Sequence, residues 1–362
     1  MCGDVLGEER DASRPKLTGV DEMTFKGYAP GVKAAEAKGS LRVGVVGAGV
    51  MGTNHARVLG GLPNTTLVGI VDPLPEHRIR ATELAGCRAF AGLDNLIAEG
   101  VDAVTIAAPT HLHNEVALAC IAHGIHILVE KPIASSVEEG REIVAAAERA
   151  GVTLMVGHVE RFNPAVAAIK QAISAEDILS IAITRVGPFP PRMSNVGVVI
   201  DLAVHDIDLI RWFTESDIVE VQPQLSCAVA EREDIALLQF RTASGVLAHI
   251  NTNWLTPFKA RNVTVATRGK YVMGDLLTRQ VTECFGFKPD GSYSMRHLPV
   301  GHDEPLRAEL IAFLKAVRSG ETPAVTGDEG VASLEIATRC LESPARAAAV
   351  SATRKGPRRV VG

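Results

Sequence analysis

A chain of 362 residues, 46% hydrophobic and 22% charged, carries enough apolar material for two packed domains, which excludes a disordered protein. Its formal net charge of −5 and pI near 6.1 supply no overall basic field, so nothing in the totals points to nucleic acid or an anionic membrane. An anionic ligand would have to be met by local arginines.

Residues 1–40 show no sustained period and read as a loose N-terminal extension. Their opening, MCGDVLGEERDASR, has no apolar core of a signal peptide, and no apolar run in the chain reaches membrane-spanning length. The six cysteines (Cys2, Cys87, Cys120, Cys227, Cys284 and Cys340) lack paired spacing, which fits a reducing compartment rather than a disulfide framework or zinc module. The expected location is therefore cytoplasmic. From Leu41, the strand-like runs LRVGVVG, TTLVGIVD, DAVTIAAP, IHILVEKP and VTLMVGH alternate with helical segments such as NHARVLGGL and HNEVALACIAHG. That alternation makes a doubly wound parallel sheet, a Rossmann domain over 41–158. After Asn163 and Pro164 the pattern changes to strand alternation, as in LSIAITRVG, ALLQFRTASGVLAHINTNW and NVTVATRGKYVMG. The spacing predicts an α+β domain over 159–343 with a large, mainly antiparallel, open-faced sheet. The segment PLRAELIAFLKAVRSG and residues 328–343 return to helical spacing, and their helices are expected to pack back on the first domain. A basic tail, 344–362, closes the chain.

Three motifs carry chemistry. In VGVVGAGVMG, Gly47, Gly49 and Gly52 follow an apolar strand and open a helix, the context in which a glycine fingerprint lets backbone amides approach a pyrophosphate. Asp72 ends the next strand, where a carboxylate accepts from ribose hydroxyls and repels a 2′-phosphate, so NAD is favoured over NADP. In VEKPIAS, Lys131 stands at the carboxyl end of a parallel strand, where ligands of such sheets bind, and Pro132 restricts it to an extended backbone. The third stretch, VIDLAVHDIDLIRWF, carries Asp201, His205, Asp206 and Asp208 among apolar residues. At about 100° per residue, Asp201, His205 and Asp208 share one helical face and Leu202, Leu209 and Phe213 lie a quarter turn away.

AAPTHLHNEVALACIAHGIHILVEKP, with the upstream glycines and the downstream D-x-x-x-H, resembles the glucose–fructose oxidoreductase/inositol dehydrogenase (Gfo/Idh/MocA) family over residues 41–343. The resemblance implies an NAD(P)-dependent oxidoreductase acting on a CH–OH group, in which Lys131, Asp201 and His205 meet at the nicotinamide. Val50, Met51, Ala108, Pro109, Thr110, His113 and Glu130 complete the expected cofactor set. GHVERFNPAV, RVGPFPPRM and NTNWLTP are similar to members that oxidise C3 of UDP-N-acetylglucosamine. The reaction expected is formation of the 3-keto sugar, with His205 or Lys131 as base and Asp201 orienting the sugar or the imidazole. A free sugar, sugar phosphate or inositol is the alternative substrate, and a non-catalytic NAD(H) sensor the alternative role. Here Ala203 replaces a frequent family glycine, which leaves the local backbone open.

A nucleotide sugar brings a diphosphate, and Arg161, Arg185 and Arg192 are the arginines expected to meet it, with Asn163, Asp201 and His205 completing the substrate set. His111 and His113 have no completing cluster, so no metal is expected. The family also implies a homodimer or homotetramer joined through the open face of the second sheet, and no nucleic-acid or membrane partner.

Overall fold

The computed structural model describes residues 39–174, 176–189 and 196–342. The expected basic tail and all but the end of the N-terminal extension lie outside the described residues. The first half of the chain runs β1 (Leu41–Val46), α1 (Val50–Gly60), β2 (Thr65–Val71), α2 (Pro75–Ala85), β3 (Ala89–Phe90), α3 (Leu93–Ala98) and β4 (Ala103–Ile106). It continues with α4 (His113–Ala122), β5 (His126–Glu130), α5 (Val137–Ala150) and β6 (Leu154–Gly157). These six strands pair in parallel in the order β3-β2-β1-β4-β5-β6. Helices cover both faces, which is why β4 and β6 are buried at every position and read as continuous apolar runs. The carboxyl ends of β1, β2, β4, β5 and β6 therefore bring Gly47, Asp72, Ala108, Lys131 and His158 to one edge of the sheet.

The second half begins with α6 (Pro164–Ile173), β7 (Ile178–Val186) and α7 (Val204–Thr214). Seven strands follow: β8 (Ile218–Ser226), β9 (Ile235–Thr242), β10 (Leu247–Asn253), β11 (Ala260–Thr267), β12 (Lys270–Asp275), β13 (Gln280–Phe285) and β14 (Ser294–Leu298). They form an eight-stranded sheet ordered β14-β13-β12-β11-β7-β10-β9-β8. All its pairs are antiparallel except β7 with β10. Period-two alternation buries Ala236, Leu238 and Phe240 of β9 against the helices and turns Leu237 outward. Leu247, Tyr271, Met273 and Met295 are also exposed on this sheet.

The last two helices, α8 (Pro305–Ser319) and α9 (Gly327–Glu342), join the two halves. Leu306, Leu310 and Phe313 of α8 belong to the first core. α9 gives Val331 and Leu334 to that core and Ile336, Ala337 and Cys340 to the second, so one rigid helix is shared between them. Among the described residues no helix is long and apolar enough to cross a membrane.

Candidate active site

The glycine turn after β1 is shaped by close backbone approach. Gly47 has φ +97°, and a Cβ there would lie 2.6 Å from the backbone of Ala107 and Ala108; one on Gly52 would lie 1.7 Å from the Gly47 carbonyl. Gly49 faces open space, with nothing within 4 Å of a Cβ position. It stands at the N-terminus of α1, where no side chain caps the first amides and both Val50 and Met51 are exposed. An uncapped helix N-terminus beside open space is a cradle for phosphate. Asp72 is buried at the end of β2 and accepts from the amides of Ala48 (2.8 Å) and Leu74 (2.9 Å), fixing its carboxylate next to that turn. Pro109 and Thr110 follow β4. His113 ties this segment to the next strand end: Nε2 lies 2.9 Å from the Ala108 carbonyl and Nδ1 2.9 Å from that of Pro132. The donors and the space fit a dinucleotide.

Lys131, from β5, crosses to the second domain. Its Nζ donates to the Asp201 carbonyl at 2.7 Å and lies 3.4 Å from Asp201 Oδ1. Asp201 sits in a π-helical turn, Val199–Ala203, that leads directly into α7. This turn is the backbone departure at Ala203 that the sequence left open, and π turns in helices are frequent at functional sites. One turn on, His205 is half-buried with Nδ1 enclosed and without a hydrogen-bond partner. Burial, and then the charges of Lys131, Arg185, His158 and Arg261, hold its pKa well below 6.5. The structure thus brings Lys131, Asp201 and His205 together. His158 joins them, its ring edge-on to His205 at 6.1 Å between centroids. Sequence reasoning missed His158, although its position at the end of β6 follows the same rule that singled out Lys131.

Asp206 and Asp208 follow on α7 and are both buried. Asp208 was expected on the face of Asp201 and His205, and its Oδ2 lies 3.9 Å from Nδ1 of His158, the neighbour of His205; both aspartates are counter-ions. Arg185 donates Nε and Nη2 to Asp206 (2.7–3.0 Å) and Nη1 to Glu160 (2.8 Å). Arg161 grips Asp208 through Nε (2.7 Å) and Nη2 (2.6 Å) and reaches Glu329 at 2.8 Å. Burial opposes the charge of Arg185, yet Asp206 and Glu160 hold it above the usual arginine range. These two arginines were expected to meet a diphosphate; their donors are occupied inside the protein. Asn163 is likewise buried: it caps α6 through the Ala165 amide and donates to the Leu276 carbonyl. Arg192 lies outside the described residues.

Behind Lys131 lies a second ionisable cluster. Glu130 accepts from His55 Nε2 at 2.9 Å and from the Lys131 amide at 3.2 Å. Glu309 of α8 completes the group, with ligand-type atoms of all three residues within 4.8 Å of one another. Both Glu309 carboxyl oxygens are buried without a hydrogen-bond partner. Burial first, and the charge of Glu130 second, push its pKa well above 4.5. Burial opposes charge on Glu130 too, but His55 and Lys131 hold its pKa below 4.5. One proton on Glu309 beside an ionised Glu130 satisfies both directions. The sequence signal was present: Glu309 interrupts the apolar stripe Leu306, Leu310, Phe313.

Fold and crevice define an NAD-dependent oxidoreductase. Residues 41–158 match the model of the Gfo/Idh/MocA oxidoreductase family, NAD-binding Rossmann fold, and residues 178–272 match a Gfo/Idh/MocA C-terminal domain. The chain is 33% identical over 289 residues to UDP-N-acetylglucosamine 3-dehydrogenase of Acidithiobacillus ferrooxidans, covering 76% of this chain and 88% of that protein. It is 31% identical over 323 residues to inositol 2-dehydrogenase of Rubrobacter xylanophilus, covering 84% and 90%. A solved structure of the Acidithiobacillus ferrooxidans enzyme superposes with TM-score 0.78 at 28% identity, covering 83% of this chain and 96% of that one. The chain belongs to the Gfo/Idh/MocA family of NAD-binding oxidoreductases. It acts on a CH–OH group with NAD as cofactor.

The buried acid has a pH signature. Its pKa is raised on folding, so its contribution is fully present below the ordinary value of 4.5 and is lost as pH climbs toward the folded value. Glu309→Gln removes that dependence. As pH rises above 4.5 the variant should lose less stability than the parent, by about 1.4 kcal/mol for each pH unit over which only the folded side chain keeps its proton. Urea midpoints across pH measure this, and parallel curves for the two proteins would show that Glu309 ionises normally.

Proposed function

We propose that this protein oxidises the C3 hydroxyl of a nucleotide sugar, UDP-N-acetylglucosamine, to the 3-keto form. The observation that carries the reaction type is the meeting of Lys131, Asp201 and an uncharged His205 at the carboxyl edge of the dinucleotide-binding sheet. A sensor of NAD(H) has no need of such a proton-transfer set. Bound NAD⁺ supplies the hydride acceptor. His205 takes the hydroxyl proton: its depressed pKa keeps it neutral near pH 7, ready to accept. The Lys131 ammonium hydrogen-bonds the alcohol oxygen as it gains negative charge. Asp201, held by Lys131 through both carbonyl and carboxylate, fixes that ammonium and faces the sugar. The cradle at Gly47, Gly49, Val50, Met51 and Gly52 takes the pyrophosphate and Asp72 the adenosine ribose. Ala108, Pro109, Thr110 and His113, with Glu130 behind Lys131, line and brace the nicotinamide end.

The substrate assignment is supported by the likeness to a UDP-N-acetylglucosamine 3-dehydrogenase. NADH formation is measured on UDP-sugars, sugar phosphates and inositols. Turnover confined to inositols would replace the nucleotide sugar with an inositol, the reading favoured by the likeness to inositol 2-dehydrogenase. The same reading makes the protein a homodimer or homotetramer joined through the outward sheet face, where Leu237, Leu247 and Tyr271 are exposed; light scattering of a Leu237→Asp variant should show smaller particles than the parent.

Lys131→Met should lower kcat by about 10² to 10⁴ while NADH still binds; activity within a factor of two of the parent would remove the ammonium from the reaction. In kcat/KM against pH, the acid limb set by His205 should fall well below 6.5, because only the neutral imidazole accepts a proton. A limb at or above 6.5 would sink His205 as the base.

A further inference from the structure

Of the three arginines that the sequence offered to the substrate, Arg192 lies outside the described residues, and Arg185 and Arg161 are held by carboxylates of the protein itself. One neighbouring guanidinium is not saturated. Arg261 stands directly across from Arg185 in the β7–β11 pairing and continues the inward-facing row of Val263 and Val265. It therefore points to the side of the sheet covered by α7, the helix that carries His205. Its Nη1 donates to Glu160 Oε1 at 2.8 Å, and Arg185 Nη1 donates to that same oxygen at 2.8 Å. Arg185 is 3% exposed at its side chain, Arg261 is 35% exposed. Among the described residues, Nε and Nη2 of Arg261 meet no acceptor. A guanidinium has five donors in a fixed fork, and one is used here.

We propose that Arg261 is the specificity residue that binds the diphosphate of the nucleotide-sugar substrate, with Glu160 holding one edge of its guanidinium so that the other edge is presented to the phosphate oxygens. This inference rests on the nucleotide-sugar reading above and adds the residue that selects for it. The arrangement is economical physically. A buried arginine would need its desolvation offset by its own carboxylates and could not reach a ligand, whereas a fully exposed one would be screened and free to rotate. Arg261 is oriented by one carboxylate and still wet on its other side. A bidentate phosphate contact of this kind discriminates against uncharged polyols such as inositol.

Calorimetric titration of the NAD-loaded protein with UDP and with uridine tests the assignment, using the parent, Arg261→Ala and Arg261→Lys. UDP affinity should fall about tenfold or more in Arg261→Ala, with Arg261→Lys between, since an ammonium keeps the charge but loses the fork. Uridine affinity and NADH affinity should stay within twofold of the parent, the latter showing that the variant is folded; if Arg261→Ala loses NADH binding, Arg261→Lys decides. Equal UDP affinity in parent and variant, with the parent turning over UDP-N-acetylglucosamine, overturns the role of Arg261 and leaves the nucleotide-sugar reading intact. A parent that neither binds UDP nor oxidises UDP-sugars overturns both.

Discussion

Two carboxylates on one helix, Asp206 and Asp208, are buried in the middle of the protein, and everything at the site depends on the guanidiniums that meet them. An unpaired buried carboxylate is prohibitive, and removing one partner of such a pair costs about 3–5 kcal/mol. Arg185 comes from the large sheet and Arg161 from the segment that follows the last parallel strand, so α7 is pinned from both sides. Arg161 also reaches Glu329 on α9, the helix shared by the two cores. With α7 fixed in position and rotation, Asp201 and His205 at its start have one place to go: the crevice, against Lys131. The polar residues that looked superfluous in an apolar segment divide into two that hold the helix and two that the helix presents.

That division explains how much the sequence could show. The glycine turn, the acid at the end of the second strand and the lysine at the end of the fifth were legible because each stands at a boundary between an apolar run and a turn, and parallel sheets put such boundaries on one edge. The helix face was only half legible. Period and spacing place Asp208 with Asp201 and His205, but they do not show that its carboxylate is already held by Arg161. Angular arithmetic also assumes a uniform helix, and the π turn at Val199–Ala203 changes the angle of Asp201 relative to His205 and Asp208.

The arginines mark a different limit. Sequence reports that a side chain can bind an anion, not whether the protein has already supplied one. Arg161 and Arg185 lie in the stretches that looked most like substrate contacts, and both are consumed internally, while Arg261 lies in an ordinary strand pattern and, among the described residues, has donors left over. Glu309 shows the same limit from the acidic side. On a helical wheel it is an odd residue in an apolar stripe, and only its neighbours His55 and Glu130 give it a physical role.

Around His205 the charges are balanced in pairs: Lys131 with Asp201, Arg185 with Asp206, Arg261 with Glu160. The cations among them nevertheless weigh on the imidazole, which together with burial keeps it unprotonated. A base held that far down is always available but accepts a proton weakly. In the proposed reaction two events at the site work against that weakness. Hydrogen bonding from Lys131 stabilises the alkoxide and so makes the hydroxyl a better acid. An anion seated on Arg261, as proposed, would offset the smallest of the charges pressing on His205 and so raise its proton affinity slightly. On the proposed reading the diphosphate would therefore both anchor the sugar and ease the charge on the base, which an uncharged polyol would not do.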